Sequence, residues 1–215
     1  MVQTIEALFD GTVFHPTERI ALAPNTRVRM TIETVLPAEG KTASFLRTAR
    51  ALNLAGPPDW AANIDESLYG ETRPMQAEVF LDTAYAIALS SPNDQFHARA
   101  VELAEQLEAL RTRLVTTRAV LLEIGNALSK QRHRQAAVQL LDSLEVDPTV
   151  DIVPLSEPLY ARAVQLYRER PDKEWGLTDC VSFLVMQDRG LTEALTTDEH
   201  FQQAGFRALL REESS

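Results

Sequence analysis

Residues 77–89 read AEVFLDTAYAIAL, which begins with a short apolar strand that ends at Asp82. Strands of the same character follow at RLVTT, VDIVPL, EALTT and FRALL. Helical periodicity lies between them, near residues 93–112, 118–130, 133–145, 157–169 and 178–189. Strands that alternate with helices of this length predict a parallel sheet with helices on both of its faces. The predicted fold class is therefore α/β, with a central parallel sheet.

The composition fits one domain with a small additional piece. A chain of 215 residues with 45% hydrophobic residues can bury one substantial core, since domains cluster near ~100–150 residues. The formal net charge of −10 lacks the long-range field that draws a general nucleic-acid binder to phosphate. Work on nucleic acid would then depend on local basic patches or on metal ions, which counts against a protein that coats DNA.

The single cysteine, Cys180, rules out a disulfide within the chain and gives no sign of an oxidising compartment. We expect it to be a small buried apolar residue and not a nucleophile. The start, MVQTIEALFDGTVF, has no basic region followed by an apolar run, and no stretch approaches the ~20 apolar residues of a membrane span. A cytoplasmic protein that does not enter the membrane is expected.

The beginning of the chain predicts a small antiparallel β unit. Residues 2–9 and 27–33 alternate between apolar and polar in the β fashion, and Asp10-Gly11 is a turn signal. After it, SFLRTARALNL (residues 44–54) forms an amphipathic helix. Its apolar face carries Phe45, Leu46, Ala49 and Leu52, and Gly56-Pro57-Pro58 ends it.

Residues 56–76 mix proline and glycine with the bulky residues Trp60, Leu68 and Tyr69. A free linker rarely carries so much apolar surface, so this segment is expected to dock on another surface. The chain then divides into a β unit over residues 1–36, a helix and docking segment over 37–77, and an α/β domain over 78–215.

Acidic residues stand at unusual places in this domain. Asp82 and Asp198 follow the strands AEVFL and EALTT, and functional groups gather at the carboxyl ends of parallel strands. Glu123 lies inside the apolar helix AVLLEIGNAL, so its carboxylate is expected to be at least partly buried. Asp179 opens the helix LTDCVSFLVM, for which Thr178 is a candidate N-cap.

Each acid taken alone has a simpler structural explanation. Asp82 can end a strand, Asp179 can cap a helix and Asp198 can open a turn. Glu123 can pair with a buried cation such as Arg118. Taken together, however, these acids would repel one another at one end of a sheet unless divalent cations lie among them. Oxygen ligands of this kind suit Mg²⁺ or Mn²⁺.

The motifs FLDTAYAIAL, TTRAVLLEIGNAL, LTDCVSFLVM and ALTTDEHFQQAGF resemble, in this order, the acidic motifs of the PIN-domain ribonucleases. The resemblance covers residues 78–212 and implies the PIN-like α/β/α sandwich. By motif position, the acidic quartet of catalytic and metal-binding residues consists of Asp82, Glu123, Asp179 and Asp198. The resemblance also makes Thr83 and Thr178 the hydroxyl neighbours that orient the quartet. It implies an endoribonuclease that depends on Mg²⁺ or Mn²⁺.

Residues 1–36 resemble, through the stretch TIEALFDGTVFHPTERIALAPNTRVRMTIE, the small β-type antitoxins that accompany such toxins in VapBC pairs. This implies a fusion in which an antitoxin-like segment wraps the nuclease and an arginine replaces the charge of the metal. The inhibitory candidates are Arg47, Arg50, Arg73 and Trp60. The alternative for the arginines is a solvated surface or linker position. A joined inhibitor predicts a latent nuclease, inhibited within one chain or across a domain-swapped dimer.

Other functions compete with this interpretation. The haloacid-dehalogenase-type phosphatases carry a second aspartate two residues after the nucleophile, where this chain has Ala84. A non-catalytic regulator or binding protein on a PIN scaffold is the second alternative. His97, His133 and His200 are scattered without ligand spacing, so we expect solvent-exposed histidines and no zinc site.

The expected partners are RNA and a further copy of the chain in a homo-oligomer. DNA binding by the N-terminal unit stays open, although residues 1–77 hold 7 basic and 9 acidic groups and show no helix-turn-helix pattern.

Overall fold

The computed structural model describes residues 7–9, 14–16, 44–56, 58–61 and 77–212. The chain forms two compact units, Met1–Ala38 and Glu39–Ser215. In the first unit, β1 (Ala7–Phe9) pairs antiparallel with β2 (Phe14–Pro16). This pairing confirms the start of the predicted β unit, whereas the predicted strand over 27–33 lies outside the described residues.

The second unit is built on a sheet of five strands in the order β5-β4-β3-β6-β7. These strands are β3 (Glu78–Leu81), β4 (Arg113–Thr117), β5 (Val150–Val153), β6 (Glu193–Leu195) and β7 (Arg207–Ala208). Every neighbouring pair is parallel. The central strand β3 is apolar and almost wholly buried, as a strand covered on both faces should be. The predicted α/β class with a central parallel sheet is confirmed.

Helices cover this sheet. They are α1 (Phe45–Ala51), α2 (Thr83–Ser90), α3 (His97–Leu110), α4 (Arg118–Ala127), α5 (Arg134–Val146), α6 (Glu157–Glu169), α7 (Leu177–Arg189) and α8 (Glu199–Gln203). The chain returns past β3 to reach β6, so the crossover that carries α6 and α7 runs in the opposite direction to the crossovers that carry α2 to α5. In the described parts of the chain, no helix has the length and apolar character needed to cross a membrane.

The order of the strands decides where a site can form. From β3 the chain moves outward to β4 and β5, and then crosses to β6 on the opposite side of β3. The strand order therefore reverses at β3, and in parallel sheets ligand sites form at such a reversal, here at the carboxyl ends of β3 and β6.

Two helices were not predicted from the sequence. All eight residues of α2, TAYAIALS, are buried, so the segment has no polar face and no amphipathic period to detect. Its presence moves the start of the next helix from the predicted residue 93 to His97. The helix α8 has only five residues, fewer than two turns, and is too short for a periodic pattern.

The predicted amphipathic helix is confirmed as α1, which packs against α2 and α5. Phe45, Leu46 and Ala49 are buried in the main hydrophobic core of the unit. The first turn is held by a tertiary contact, since the backbone N–H of Phe45 donates to Asp147 Oδ2 at 2.8 Å. The buried face joins α1 to the α/β core.

The chain continues from α1 across the same surface. We call residues 44–56 and 58–61 the N-terminal arm. Leu54 accepts a hydrogen bond from Ser91 Oγ at 3.0 Å, and Ala61 N donates to Asp94 Oδ2 at 2.7 Å. A Cβ on Gly56 would lie 1.8 Å from the Trp60 ring, so this turn requires glycine. The arm is therefore tied down along its length.

Shortening a buried side chain of α1 should destabilise the whole unit. Phe45→Ala removes a fully buried ring, and we expect it to lower the free energy of unfolding by ~3–5 kcal/mol. Arg47→Ala on the same helix is the control, because the Arg47 side chain is 81% exposed and should change it by less than about 0.5 kcal/mol. Urea denaturation of the full chain measures both; equal, small effects would mean that α1 is not part of the core.

Candidate active site

Asp82 and Asp198 meet at the carboxyl ends of β3 and β6. Thr196 joins them, since its Oγ1 donates to Asp82 Oδ2 at 2.7 Å and accepts from the backbone N–H of Asp198 at 3.0 Å. Both carboxylates are buried. The prediction that these two acids lie close together is confirmed.

Glu123 reaches the same place from α4. Its Oε2 accepts a hydrogen bond from Thr83 Oγ1 at 2.7 Å, so the residue directly after Asp82 orients it. Arg118, the cation considered for pairing with Glu123, forms an ion pair with Glu145 instead. Glu123 is half-buried, as expected.

Asp179 arrives on the first turn of α7. Its Oδ2 accepts from the backbone N–H of Gly176 at 2.6 Å, which makes Gly176 the N-cap and Asp179 the third residue of the capping box. The expectation that Thr178 caps this helix is therefore wrong. The helix begins two residues earlier than that expectation requires, and Thr178 lies half-buried in its first turn.

His200 lies between two members of the acidic quartet. Its Nδ1 is 3.3 Å from Asp179 Oδ2 and 3.3 Å from Asp198 Oδ1. His133 is also buried, against Trp60 at a ring distance of 5.2 Å. The expectation of solvent-exposed histidines is wrong for both residues, because tertiary packing covers side chains whose sequence neighbours are polar.

The surroundings of the site, above all its burial, disfavour the ionised carboxylates. Burial, and after it the nearby charge of Glu123, raises the pKa of Asp82 to about 7. Burial is also the main cause that raises the pKa of Glu123 and that of Asp179. A cation among these groups would reverse the effect, since it favours the charged forms.

The donor atoms fit a divalent cation. Ligand atoms of Asp179, Asp198 and His200 all lie within 4.8 Å of one another, and they are drawn from carboxylates and an imidazole. Asp82 and Glu123 lie beside this set, since the charges of Glu123 and Asp179 both raise the pKa of Asp82. The structure thus brings the four predicted acids together.

Those predicted inhibitory residues that the structure describes do not contact the acidic quartet. Arg50 is paired with Glu105 at 3.2 Å and with Glu108 at 3.9 Å, and Arg47 Nε is 4.0 Å from Glu108. Both partners belong to α3 and not to the acidic quartet. Trp60 packs on His133, and Arg73 lies outside the described residues.

Sequence reasoning did not find Thr196, His200 and Arg211. Arg211 donates to the carbonyl oxygen of Thr197 at 2.6 Å, directly beside Asp198. Thr196 and His200 stand within two residues of Asp198, so the stretch TTDEH held the signal. Arg211 comes from the far end of the domain, where no local pattern points to the site.

The match to a known family covers this site. The PIN domain model matches residues 79–207, which include all four acids. The chain belongs to the PIN-domain family. The PIN region is similar to the 23S rRNA-specific endonuclease VapC20 of Mycobacterium tuberculosis, strains CDC 1551 / Oshkosh and H37Rv. Each is 26% identical over 128 residues, which cover 60% of this chain and 95% of the relative.

A solved structure resembles the PIN domain in the same way. It is the crystal structure of Mycobacterium tuberculosis VapC20, a sarcin-ricin loop cleaving toxin. The TM-score is 0.53 at 26% identity, over 60% of this chain and 95% of that structure. The N-terminal arm precedes the residues that match the PIN domain.

The raised pKa of Asp82 predicts how stability depends on pH. Between the ordinary pKa of 3.8 and about 7 the folded protein binds a proton that the unfolded chain releases. Stability from this group is therefore present at low pH and falls as pH rises through this window. Without metal, Asp82→Asn should be more stable than the wild type by about 1–3 kcal/mol at pH 8.

Urea denaturation in EDTA at pH 4.5 and pH 8 measures this difference, which should shrink toward the lower pH. The control is Asp188→Asn on α7, whose carboxylate is paired with Arg162 on the surface and whose pKa is lowered. A difference between Asp82→Asn and the wild type that is equal at both pH values would contradict the prediction.

Proposed function

We propose that the chain is an endoribonuclease toxin that depends on Mg²⁺ or Mn²⁺ and is held latent by its own N-terminal antitoxin-like segment. The observation that carries the proposal is the convergence of Asp82, Glu123, Asp179 and Asp198 at one sheet edge of a PIN domain. The similarity to VapC20, named as a 23S rRNA-specific endonuclease, supports RNA as the substrate.

The residues of the chain would divide the work of phosphodiester hydrolysis. A divalent ion on the acidic quartet supplies a water of lowered pKa and stabilises charge on the phosphoryl oxygens. Thr196 and Thr83 hold the Asp82 and Glu123 carboxylates in place. Asp179 or Asp198 would orient the attacking water. Thr178, beside Asp179, is the remaining hydroxyl of the proposed site.

Cleavage of a structured RNA pool that contains ribosomal RNA tests the activity. With Mn²⁺ or Mg²⁺ the full chain should cut slowly because it is held latent, and Asp82→Asn or Asp179→Asn should lower this rate at least about 100-fold, because each removes a proposed metal ligand. Asp188→Asn is the matched control on α7 and should keep the wild-type rate. Cleavage that persists in EDTA, or in Asp82→Asn, would contradict the metal-dependent mechanism.

The proposed latency rests on the course of the N-terminal arm. The arm packs on the PIN domain of its own chain and ends where Thr197 Oγ1 donates to the carbonyl oxygen of Ala61 at 2.6 Å. Thr197 directly precedes Asp198, so the described part of the arm ends one residue from a member of the acidic quartet. Inhibition within one chain gains from a high effective concentration.

Arg73 is the proposed inhibitory arginine, because Arg47 and Arg50 are already paired with glutamates of α3. A guanidinium among carboxylates replaces the charge of a metal ion. Arg73→Ala should therefore raise the rate of RNA cleavage by the full chain at least about tenfold. Arg47→Ala and Arg50→Ala are the controls and should leave the rate unchanged.

These measurements also separate the competing function. If neither the wild type nor Arg73→Ala cuts RNA with any divalent metal, a non-catalytic regulator or binding protein on a PIN scaffold replaces the nuclease. If the wild type cuts at the rate of Arg73→Ala, the nuclease stands and inhibition by Arg73 is wrong.

A further inference from the structure

The main chain fixes the surroundings of His200. The N–H of His200 donates to Asp198 Oδ1 at 2.8 Å, and the N–H of Gly176 donates to Asp179 Oδ2 at 2.6 Å. These are the same carboxylate oxygens that lie 3.3 Å from the imidazole Nδ1. One nitrogen and two oxygens thus lie within 4.8 Å of one another, beside two helix starts.

The two distances around Nδ1 are also those expected between neighbouring ligands of one ion. Charge-assisted N–H···O contacts are about 2.7–2.9 Å long, shorter than the two distances of 3.3 Å around Nδ1. Two ligand atoms that are each about 2.1 Å from a shared ion lie about 3.0 Å apart at a right angle and about 3.4 Å apart at the tetrahedral angle. The distances from His200 Nδ1 to the two carboxylate oxygens therefore match those between neighbouring ligands of one ion.

The burial of His200 agrees with this position. Its side chain is 10% exposed, and the Asp198 side chain is 3% exposed. An imidazole in this place adds no negative charge to a site that already holds several carboxylates. A fifth carboxylate there would increase the repulsion that raises the pKa of Asp82.

We infer that His200 is a metal ligand through Nδ1, and that this nitrogen makes the site prefer Mn²⁺, or a similar first-row divalent ion, over Mg²⁺. The inference rests on the proposed metal-dependent function. Imidazole nitrogen suits first-row transition ions, whereas Mg²⁺ is bound by oxygen ligands. Asp179, Asp198 and His200 form the mixed set, and Asp82 and Glu123 complete the site with oxygen atoms.

The test is the binding of Mn²⁺ and Mg²⁺ to the full chain, measured by calorimetry and by electron paramagnetic resonance of Mn²⁺. The wild type should bind Mn²⁺ at least about tenfold more tightly than Mg²⁺. His200→Asn, which offers an amide oxygen near the Nδ1 position, should weaken Mn²⁺ binding at least about tenfold and Mg²⁺ binding less than about threefold. Pulsed resonance should detect coupling of a ¹⁴N nucleus to Mn²⁺ in the wild type and lose it in His200→Asn.

His97→Asn is the matched control, because His97 Nδ1 lies 2.8 Å from the Ala88 carbonyl oxygen, away from the carboxylates. It should keep both the Mn²⁺ affinity and the ¹⁴N coupling. Thermal melts check that the variants remain folded. All measurements are repeated with Arg73→Ala. This variant separates blocking of the metal site by the proposed inhibitory arginine from the absence of a metal site.

Distinct results would overturn the two proposals. If Mn²⁺ binds without ¹⁴N coupling, and equally well to His200→Asn, His200 is not a ligand, while loss of binding in Asp179→Asn would leave the metal-dependent nuclease standing. If Mn²⁺ fails to bind in both the wild type and Arg73→Ala, the metal-dependent function fails together with the role of His200.

Discussion

Burial of neighbouring carboxylates at the end of β3 is the constraint on which the site depends. Asp82 is buried beside Glu123 and Asp179, and its pKa of about 7 expresses the resulting free-energy cost of the ionised form. Hydrogen bonds from Thr196, Thr83 and the Gly176 N–H offset part of that cost. The part of this cost that the hydrogen bonds do not offset favours a positive charge among the carboxylates. Either a divalent cation or a guanidinium can supply that charge.

The fold directs helix dipoles to the same place. Asp82 is the N-cap of α2, Asp198 is the N-cap of α8, and Asp179 is the third residue of α7. A helix start carries partial positive charge and stabilises a carboxylate within its first turn. Three such starts meet at one edge because each of these helices begins near the carboxyl end of the sheet. The connectivity therefore both assembles the acids and makes their ionisation tolerable.

The N-terminal arm connects this edge to the rest of the chain. Phe45 and Leu46 are part of the core, so α1 contributes to the stability of the PIN domain as well as leading to the site. A detachable inhibitor would be expected to bury less of itself in the core of its target. The arm is better described as a fixed anchor that sets where the segment after Ala61 begins.

The sequence by itself determined the parallel sheet, the amphipathic α1 and the proximity of Asp82 and Asp198, because alternation of elements and the ends of strands are local patterns with a fixed geometric result. Glu123 and Asp179 were assigned to the same site by the resemblance of their motifs to the PIN family. It could not determine α2, whose eight residues are all buried and show no period. Nor could it determine that Arg50 pairs with Glu105, or that His200 lies between Asp179 and Asp198. Glu105 is distant in the chain from Arg50 and Asp179 is distant from His200, so only the packing of the helices on the sheet decides that these side chains meet.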